Sequence, residues 1–324
     1  MRWRRGTPGK KTRVVFATDL HGSERCFKKW INSARVFEAD CLVMGGDITG
    51  KAIVPMVETA DGWRAEVSGN TRVARDDDEL RDLRDLIRAG GRYDVQVTQK
   101  ELDRLGRDKE LQSRLFRDAM VRSLRTWFEI AEDRLPATGT PAFFMLGNDD
   151  DEAVLAEAGS SEVLRYSEDG VCELPGGHPM VSFGFSNPTP WKTPRELDED
   201  GMAAGIRRAT AQLEDSTRAI YNFHCPPRDT PLDQAAVLDD ELRPKQSGAG
   251  SLLGSVGSSA VREAIECDQP LLGLHGHVHE CAAVQRLGST LCVNAGSEYQ
   301  DGVLKAAILD LEEDKVRQWQ LISS

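Results

Sequence analysis

Apolar positions along this chain follow two periods. Short β-branched runs predict buried strands, and longer stretches with apolar residues three or four apart predict helices. Residues 13–18 (RVVFAT) are the first strand. Residues 22–37 form a helix with Phe27, Trp30, Ile31 and Ala34 on one face. Residues 41–44 form a second strand that runs into Gly45-Gly46-Asp47. A strand–helix–strand opening of this kind indicates an α/β layered architecture.

Residues 51–140 read as a helical insertion. Its start, 53–67, forms a hairpin turning near Asp61-Gly62, and 76–88 form a highly charged helix. Residues 99–135 read as one long helical stretch, with Leu111, Leu115, Ala119, Leu124, Phe128 and Ala131 at near-helical spacing. Such an insertion serves as a cap, as a subunit contact, or as a packing helix outside the sheet; the amphipathic stretch permits a homodimer without requiring one. Strands at 142–146, 171–174, 180–185, 218–223 and 271–274 follow, with helices at 151–158, 195–213 and 260–266. His178 falls in a Gly/Pro loop and reads as exposed. The Gly/Ser-rich stretch 247–259 reads as a flexible loop; without the lysine of a phosphate loop it is not a nucleotide cradle. A hairpin at 282–294 and strands at 303–311 and 316–321 close the chain. With no internal repeat and no clear linker, residues 1–324 read as a single domain carrying the insertion.

Composition narrows the function classes. The 324 residues are 40% hydrophobic and 29% charged, ordinary for a globular protein. The net charge of −12 argues against nucleic acid as a partner of the isolated chain and against anionic lipid. It leaves a phosphorylated substrate open, because metal ions reverse a local potential. No apolar run approaches the roughly 18 residues of a membrane helix, so no membrane is expected. The run at 14–17 is too short for a signal-peptide core, and the basic start reads as a mobile tail or a phosphate-contacting arm. Seven cysteines, an odd number without a CxxC, read as reduced and mostly buried, and a cytoplasmic location is expected.

The candidate chemistry lies in five separated pieces, each at the end of a strand-like run: Asp19-Leu20-His21, Gly46-Asp47, Gly147-Asn148-Asp149, His224 and Gly276-His277-Val278-His279. They hold four of the six histidines. Alone, each is weak: an aspartate or asparagine after a strand is more often a turn or cap residue. Together they offer carboxylate, amide and imidazole donors without thiolate, a set that suits Mn²⁺ first, and also Fe²⁺, Zn²⁺ or Ni²⁺. Asp19 and His21, like His277 and His279, are two apart and can point the same way from a strand end. Asp47 has two oxygens with which to bridge two ions. A pair of divalent metals clamps phosphoryl oxygens and acidifies a bridging water to hydroxide. His275 alternates to the other side and reads as structural or supporting. Asp150 and Asp151 read as charges complementing a helix N-terminus.

These pieces resemble the motif series of the calcineurin-like metallophosphoesterases, over residues 14 to about 300. The resemblance implies a four-layer α/β/β/α sandwich, two mixed β-sheets flanked by helices, with metals held on loops at one end. It implies that Asp19, His21, Asp47 and His279 bind one metal and that Asp47, Asn148, His224 and His277 bind the other. His224 would also help position the phosphate. Asn294-Ala295-Gly296-Ser297 is similar to the family's Asn-Pro-Gly-Ser turn, which supports the site without ligating. Many members follow Gly-Asn with a histidine that contacts the phosphate and protonates the leaving group; here Asp149 stands at that catalytic position. Near two cations it should be depressed in pKa and a poor proton donor, so activity biased towards good leaving groups is expected.

The leading expectation is therefore a dinuclear-metal-dependent phosphohydrolase that cleaves a mono- or diester with a metal-bridging hydroxide. Two alternatives stand beside it: a protein-interaction scaffold on the same fold with weak or lost catalysis, and a nuclease acting within a larger assembly. Filled ligand positions count against the first, and the acidic balance against the second.

Overall fold

A computed structural model describes residues 11–324 except 240 and 249, so the basic start at 1–10 lies outside the described residues. The chain opens with β1 (Thr12–Ala17), α1 (Glu24–Val36) and β2 (Cys41–Met44). Then come β3 (Ala52–Thr59), β4 (Gly62–Val67), β5 (Asn70–Ala74), α2 (Asp77–Ala89), β6 (Arg92–Val97), α3 (Gln99–Leu105) and α4 (Lys109–Arg134). The central part comprises β7 (Ala142–Phe144), α5 (Glu152–Ala158), β8 (Leu164–Tyr166), β9 (Cys172–Leu174), β10 (His178–Phe183), α6 (Glu199–Thr210) and β11 (Ile220–Phe223). Four short strands follow: β12 (Gln234–Ala236), β13 (Gln246–Ser247), β14 (Gly250–Ser251) and β15 (Leu253–Ser255). The chain finishes with α7 (Ser259–Asp268), β16 (Leu272–His275), β17 (Ala283–Leu287), β18 (Thr290–Asn294), β19 (Lys305–Leu311) and β20 (Val316–Ser323).

Two six-stranded sheets face each other, one in the order β20-β19-β1-β2-β7-β8 and the other β17-β18-β16-β11-β10-β9. Both are mixed: β1, β2, β7 and β8 run parallel, as do β10, β11, β16 and β18, and antiparallel strands close the edges. Alternation along each strand builds the layers, because successive side chains leave opposite faces. Val14, Phe16, Cys41 and Val43 join Met180, Ile220, Leu272 and Leu274 between the sheets. Val15, Ala17, Leu42 and Met44 turn outward to Phe27 and Trp30 of α1 and Trp127 of α4. Val181, Phe183, Tyr221 and Phe223 turn the other way, to α6 and α7. The result is the four-layer α/β/β/α sandwich that the resemblance implies.

The segment expected to be helical carries a sheet of its own, ordered β5-β4-β3-β6. Its hairpin turns at Asp61-Gly62 as expected, since Thr59 pairs with Gly62. Strand β6, unforeseen, alternates buried Tyr93, Val95 and Val97 with polar neighbours. The long helical stretch is two helices, because a second capping signal interrupts it: Thr98 and Glu101 form a capping box for α3, and the Asp108 side chain accepts from Leu111 N to start α4. Helix α4 links the layers, its first half packing on β3 and β6 through Leu115, Phe116 and Ala119 and its second half on α1.

Two local expectations are corrected. His178 is buried, not exposed: the turn over Gly176-Gly177 pairs it with Leu174 of β9 at the sheet edge, and burial lowers its pKa. The stretch read as a flexible loop contains β14 and β15, which pair with β13 and β12 before it. No helix among the described residues is long and apolar enough to cross a membrane, and all seven cysteines are free thiols, five of them buried.

Trp127 and Phe27 stack with ring centroids 4.2 Å apart and planes 10° from parallel, which joins α4 to α1. Trp127→Ala is expected to cost about 3–5 kcal/mol, measured by urea denaturation. A loss below about 1 kcal/mol would mean that α4 is held to the sandwich elsewhere.

Candidate metal centre

Five parallel strands deliver their carboxyl ends to one place. Beyond β1 lie Asp19 and His21, beyond β2 Asp47, beyond β7 Asn148, beyond β11 His224, and beyond β16 His277 and His279. Open α/β sheets gather ligands at such ends, where the backbone stops pairing and turns. Here it turns sharply: Asp19, His21, Asp47 and His277 all have positive φ, between 41° and 68°. For residues with a side chain this conformation costs of order 1–3 kcal/mol. Cross-loop bonds hold it, with Asp19 N donating to Gly46 O (3.0 Å), His21 N to Asp47 O (2.9 Å) and Gly276 N to His224 O (2.9 Å). Two glycines allow the close approach. A Cβ at Gly147 would collide with Asp47, and one at Gly276 with Thr18 and Asp19.

The donors form two overlapping clusters. In one, ligand atoms of Asp19, His21, Asp47 and His279 lie within 4.8 Å of one another. His21 Nε2 faces His279 Nε2 at 3.0 Å and Asp47 Oδ2 at 3.5 Å, and His279 Nε2 is 3.4 Å from Asp19 Oδ1. In the other, Asn148 Oδ1 meets His277 Nδ1 at 2.7 Å and His224 Nε2 at 3.0 Å, and His224 Nε2 is 3.5 Å from Asp47 Oδ1. Asp47 thus presents one oxygen to each cluster. His224 Nδ1 donates to Gly45 O at 2.7 Å, which aims Nε2 inward. All seven residues expected as ligands converge here.

The electrostatics suit cations. Burial opposes charge on Asp19 and Asp47, yet the neighbouring histidines, His279 and His224 above all, hold both carboxyls well below the usual range. Burial pushes His21 down to about 3 and His277 to about 4, which leaves them neutral with lone pairs to offer. His224 goes the other way: burial disfavours its charge, but Asp47 and Asp19 lift it to about 10. A proton on His224 therefore balances the buried carboxylates, a task a divalent cation performs with the imidazole neutral. Carboxylate, amide and imidazole donors packed this closely, with two histidine nitrogens 3.0 Å apart, fit divalent metal ions.

Asp149 has its backbone N–H on Asp47 Oδ1 (3.0 Å) and its Oδ2 2.5 Å from Lys51 Nζ. In the protein's own field its pKa is raised, by burial first and then by Asp47, with Lys51 opposing. The depression expected from the sequence thus depends on the cations themselves. His275 stands apart from the ligands; it is buried, with Nδ1 2.9 Å from Phe223 O, in a structural place. Asn294 Nδ2 donates to Gly276 O and Val278 O at 3.1 Å each, and Ser297 Oγ to Asp19 O at 2.7 Å, so this turn braces the ligand loops.

Three supporting residues escaped the sequence reading. Asp150 is no helix-end charge but a buried clamp between loops: Oδ2 accepts Ile48 N (3.0 Å) and Gly147 N (2.8 Å), and Oδ1 accepts Thr49 N (2.9 Å) and Thr49 Oγ1 (2.5 Å). Asp151 does serve the helix, capping α5 through Ala153 N. Thr193 accepts from Asn148 Nδ2 at 2.8 Å, which turns the amide oxygen towards His224 and His277. Tyr299 packs against His21, ring centroids 4.7 Å apart, and edge-on against His279. No motif marks Thr193 or Tyr299; Asp150 was visible only within an acidic run.

No protein-family model matches this chain, and no curated protein is similar enough to match. Among solved structures, one crystal structure aligns over 97% of this chain and 99% of its own at TM-score 0.57 and 14% identity, a likeness of fold. The protein TT1561 of Thermus thermophilus aligns over 97% of this chain and 99% of its own at TM-score 0.49 and 13% identity. The Thermus thermophilus sulfate thiohydrolase SoxB aligns over 99% of this chain and 57% of its own at TM-score 0.40 and 11% identity.

Asp150→Ala removes one acceptor group from four donors on two ligand loops. It is expected to cost about 3 kcal/mol or more, since each buried donor left unpaired costs roughly 1–3 kcal/mol. Chemical denaturation checks this, and a loss under about 1 kcal/mol would show that water replaces the clamp.

Proposed function

We propose that this chain is a metal-dependent phosphoesterase of the calcineurin-like metallophosphoesterase type. The observation that carries the reading is the sharing of Asp47 between two donor clusters, His21 at 3.5 Å from one of its oxygens and His224 at 3.5 Å from the other. Asp19, His21, Asp47 and His279 would hold one divalent ion, and Asp47, Asn148, His224 and His277 the second. Mn²⁺ is the first choice, with Fe²⁺, Zn²⁺ and Ni²⁺ compatible with the same donors. When bound, such a pair neutralises phosphoryl oxygens and lowers the pKa of water at neutral pH.

The chain's own residues supply the rest. Asp47 sets the spacing of the two clusters. Hydrogen bonds accepted by Gly45, Thr193 and Asp150 fix the direction of His224, the orientation of the Asn148 amide and the approach of the two loops. Preorganised donors of this kind need no rearrangement as charge develops on the substrate. The acidic chain has one concentrated place for an anion, and that place depends on the cations. A phosphorylated small molecule or phosphoprotein fits this better than a nucleic acid, which requires an extended basic track.

After metal stripping, re-addition of Mn²⁺ is expected to restore hydrolysis of p-nitrophenyl phosphate or its bis-ester. Asp47→Asn should lower turnover at least about a hundredfold, because it turns one of the two oxygens into an amide NH₂ and removes the negative charge that both clusters share. The preferred ester separates mono- from diesterase activity. Full activity in Asp47→Asn with metal retained would sink the assignment, and two bound ions without turnover on any ester would favour a scaffold.

A further inference from the structure

We propose that Lys51 is the cation that receives the substrate's phosphoryl oxygens, and that Asp149 is the positioning residue that holds it there. The inference rests on the phosphoesterase reading. Lys51 follows the loop that carries Asp47, and its Nζ lies 2.5 Å from Asp149 Oδ2 while 46% of its side chain stays exposed. The groups behind it are closed off: His21 and His224 are fully buried, and Asp19 and Asp47 nearly so. His279 is 27% and Asp149 17% exposed, so Lys51 is the most exposed of the charged groups at the donor clusters and is open to an incoming phosphate.

Asp149 is fixed independently of Lys51. Its backbone N–H is bonded to Asp47 Oδ1, and Asn148 Nδ2 lies 3.3 Å from its Oδ1. The carboxylate can thus aim the ammonium rather than follow it. An ammonium has three donors. Asp149 takes one, and the others have no acceptor among the described residues.

Charge makes the same point. Four carboxylates crowd this place: Asp19, Asp47, Asp149 and Asp150. Two divalent cations would offset those four, and Lys51 adds one further positive charge for a phosphate. Arg195, behind the Asn148 loop, is committed to Glu168 and Gly147 O. The competing account is that Lys51 only neutralises Asp149.

The test uses the full chain loaded with Mn²⁺, with orthophosphate binding by calorimetry, KM for p-nitrophenyl phosphate, and bound-metal content. Lys51→Met is expected to weaken orthophosphate binding and raise KM by about tenfold or more, as loss of a charge-assisted hydrogen bond does, with both ions retained. Lys51→Arg should keep most of the affinity. In Lys51→Met with Asp149→Asn the binding should stay weak, because removing the carboxylate does not replace the lysine. Unchanged orthophosphate affinity in Lys51→Met, recovery in the double variant, or loss of bound metal in Lys51→Met would each overturn the proposal while wild-type turnover persists. A wild-type chain that neither binds orthophosphate nor turns over with Mn²⁺ overturns the phosphoesterase reading and this role together.

Discussion

The structure depends on burying two ionised carboxylates side by side. Asp19 and Asp47 are 1% and 2% exposed at the ends of adjacent parallel strands. An uncompensated charge at such depth costs several kcal/mol. Here each carboxylate is surrounded by histidines and loop N–H groups, so the strand ends that supply those groups must meet. His277 N donates to Asp19, Asp149 N donates to Asp47, and Thr18 Oγ1 donates to Asp19. The two sheets are joined at this end by the demands of charge as much as by the apolar layer between them.

The same constraint explains where backbone strain falls. Four of the residues with a side chain at positive φ are donors of the site; aspartate and histidine tolerate that conformation better than most types, but only glycine adopts it freely. The strain persists because cross-loop hydrogen bonds and the Asp150 clamp determine the loops more strongly than local preference does. A site held in this way is preorganised, and its specificity then depends on what surrounds the mouth. Two residues outside the donor set adjoin it: half-exposed Lys51, which leads into β3, and Thr193, bonded to Asn148.

Legibility from sequence followed the strength of the local pattern. Strands β1, β2, β7, β11 and β16 were readable because they are short apolar runs that lead into the polar donors. Strand β6 was missed because its alternation is brief and lies between two charged helices. His178 was misplaced because glycine and proline normally mark exposed turns, whereas here the turn returns the next residue to a buried sheet edge. Asp150 was taken for a helix-end charge because three aspartates in a row look alike in sequence. Only the fold shows that one caps a helix, one meets a lysine and one ties two loops together.

By itself the sequence determined the layered α/β class, the order of the strands that carry donors, and the donor set. Those properties follow from the period of apolar residues and from side-chain chemistry, both of which are local. Tertiary structure alone decided that Asp47 faces both clusters, that Asn148 offers its oxygen rather than its nitrogen, and that Lys51 is paired with Asp149. Each of these is a contact between residues far apart in the chain or a choice of orientation made by such a contact. No local pattern encodes it, because its energy exists only once the strand ends have met.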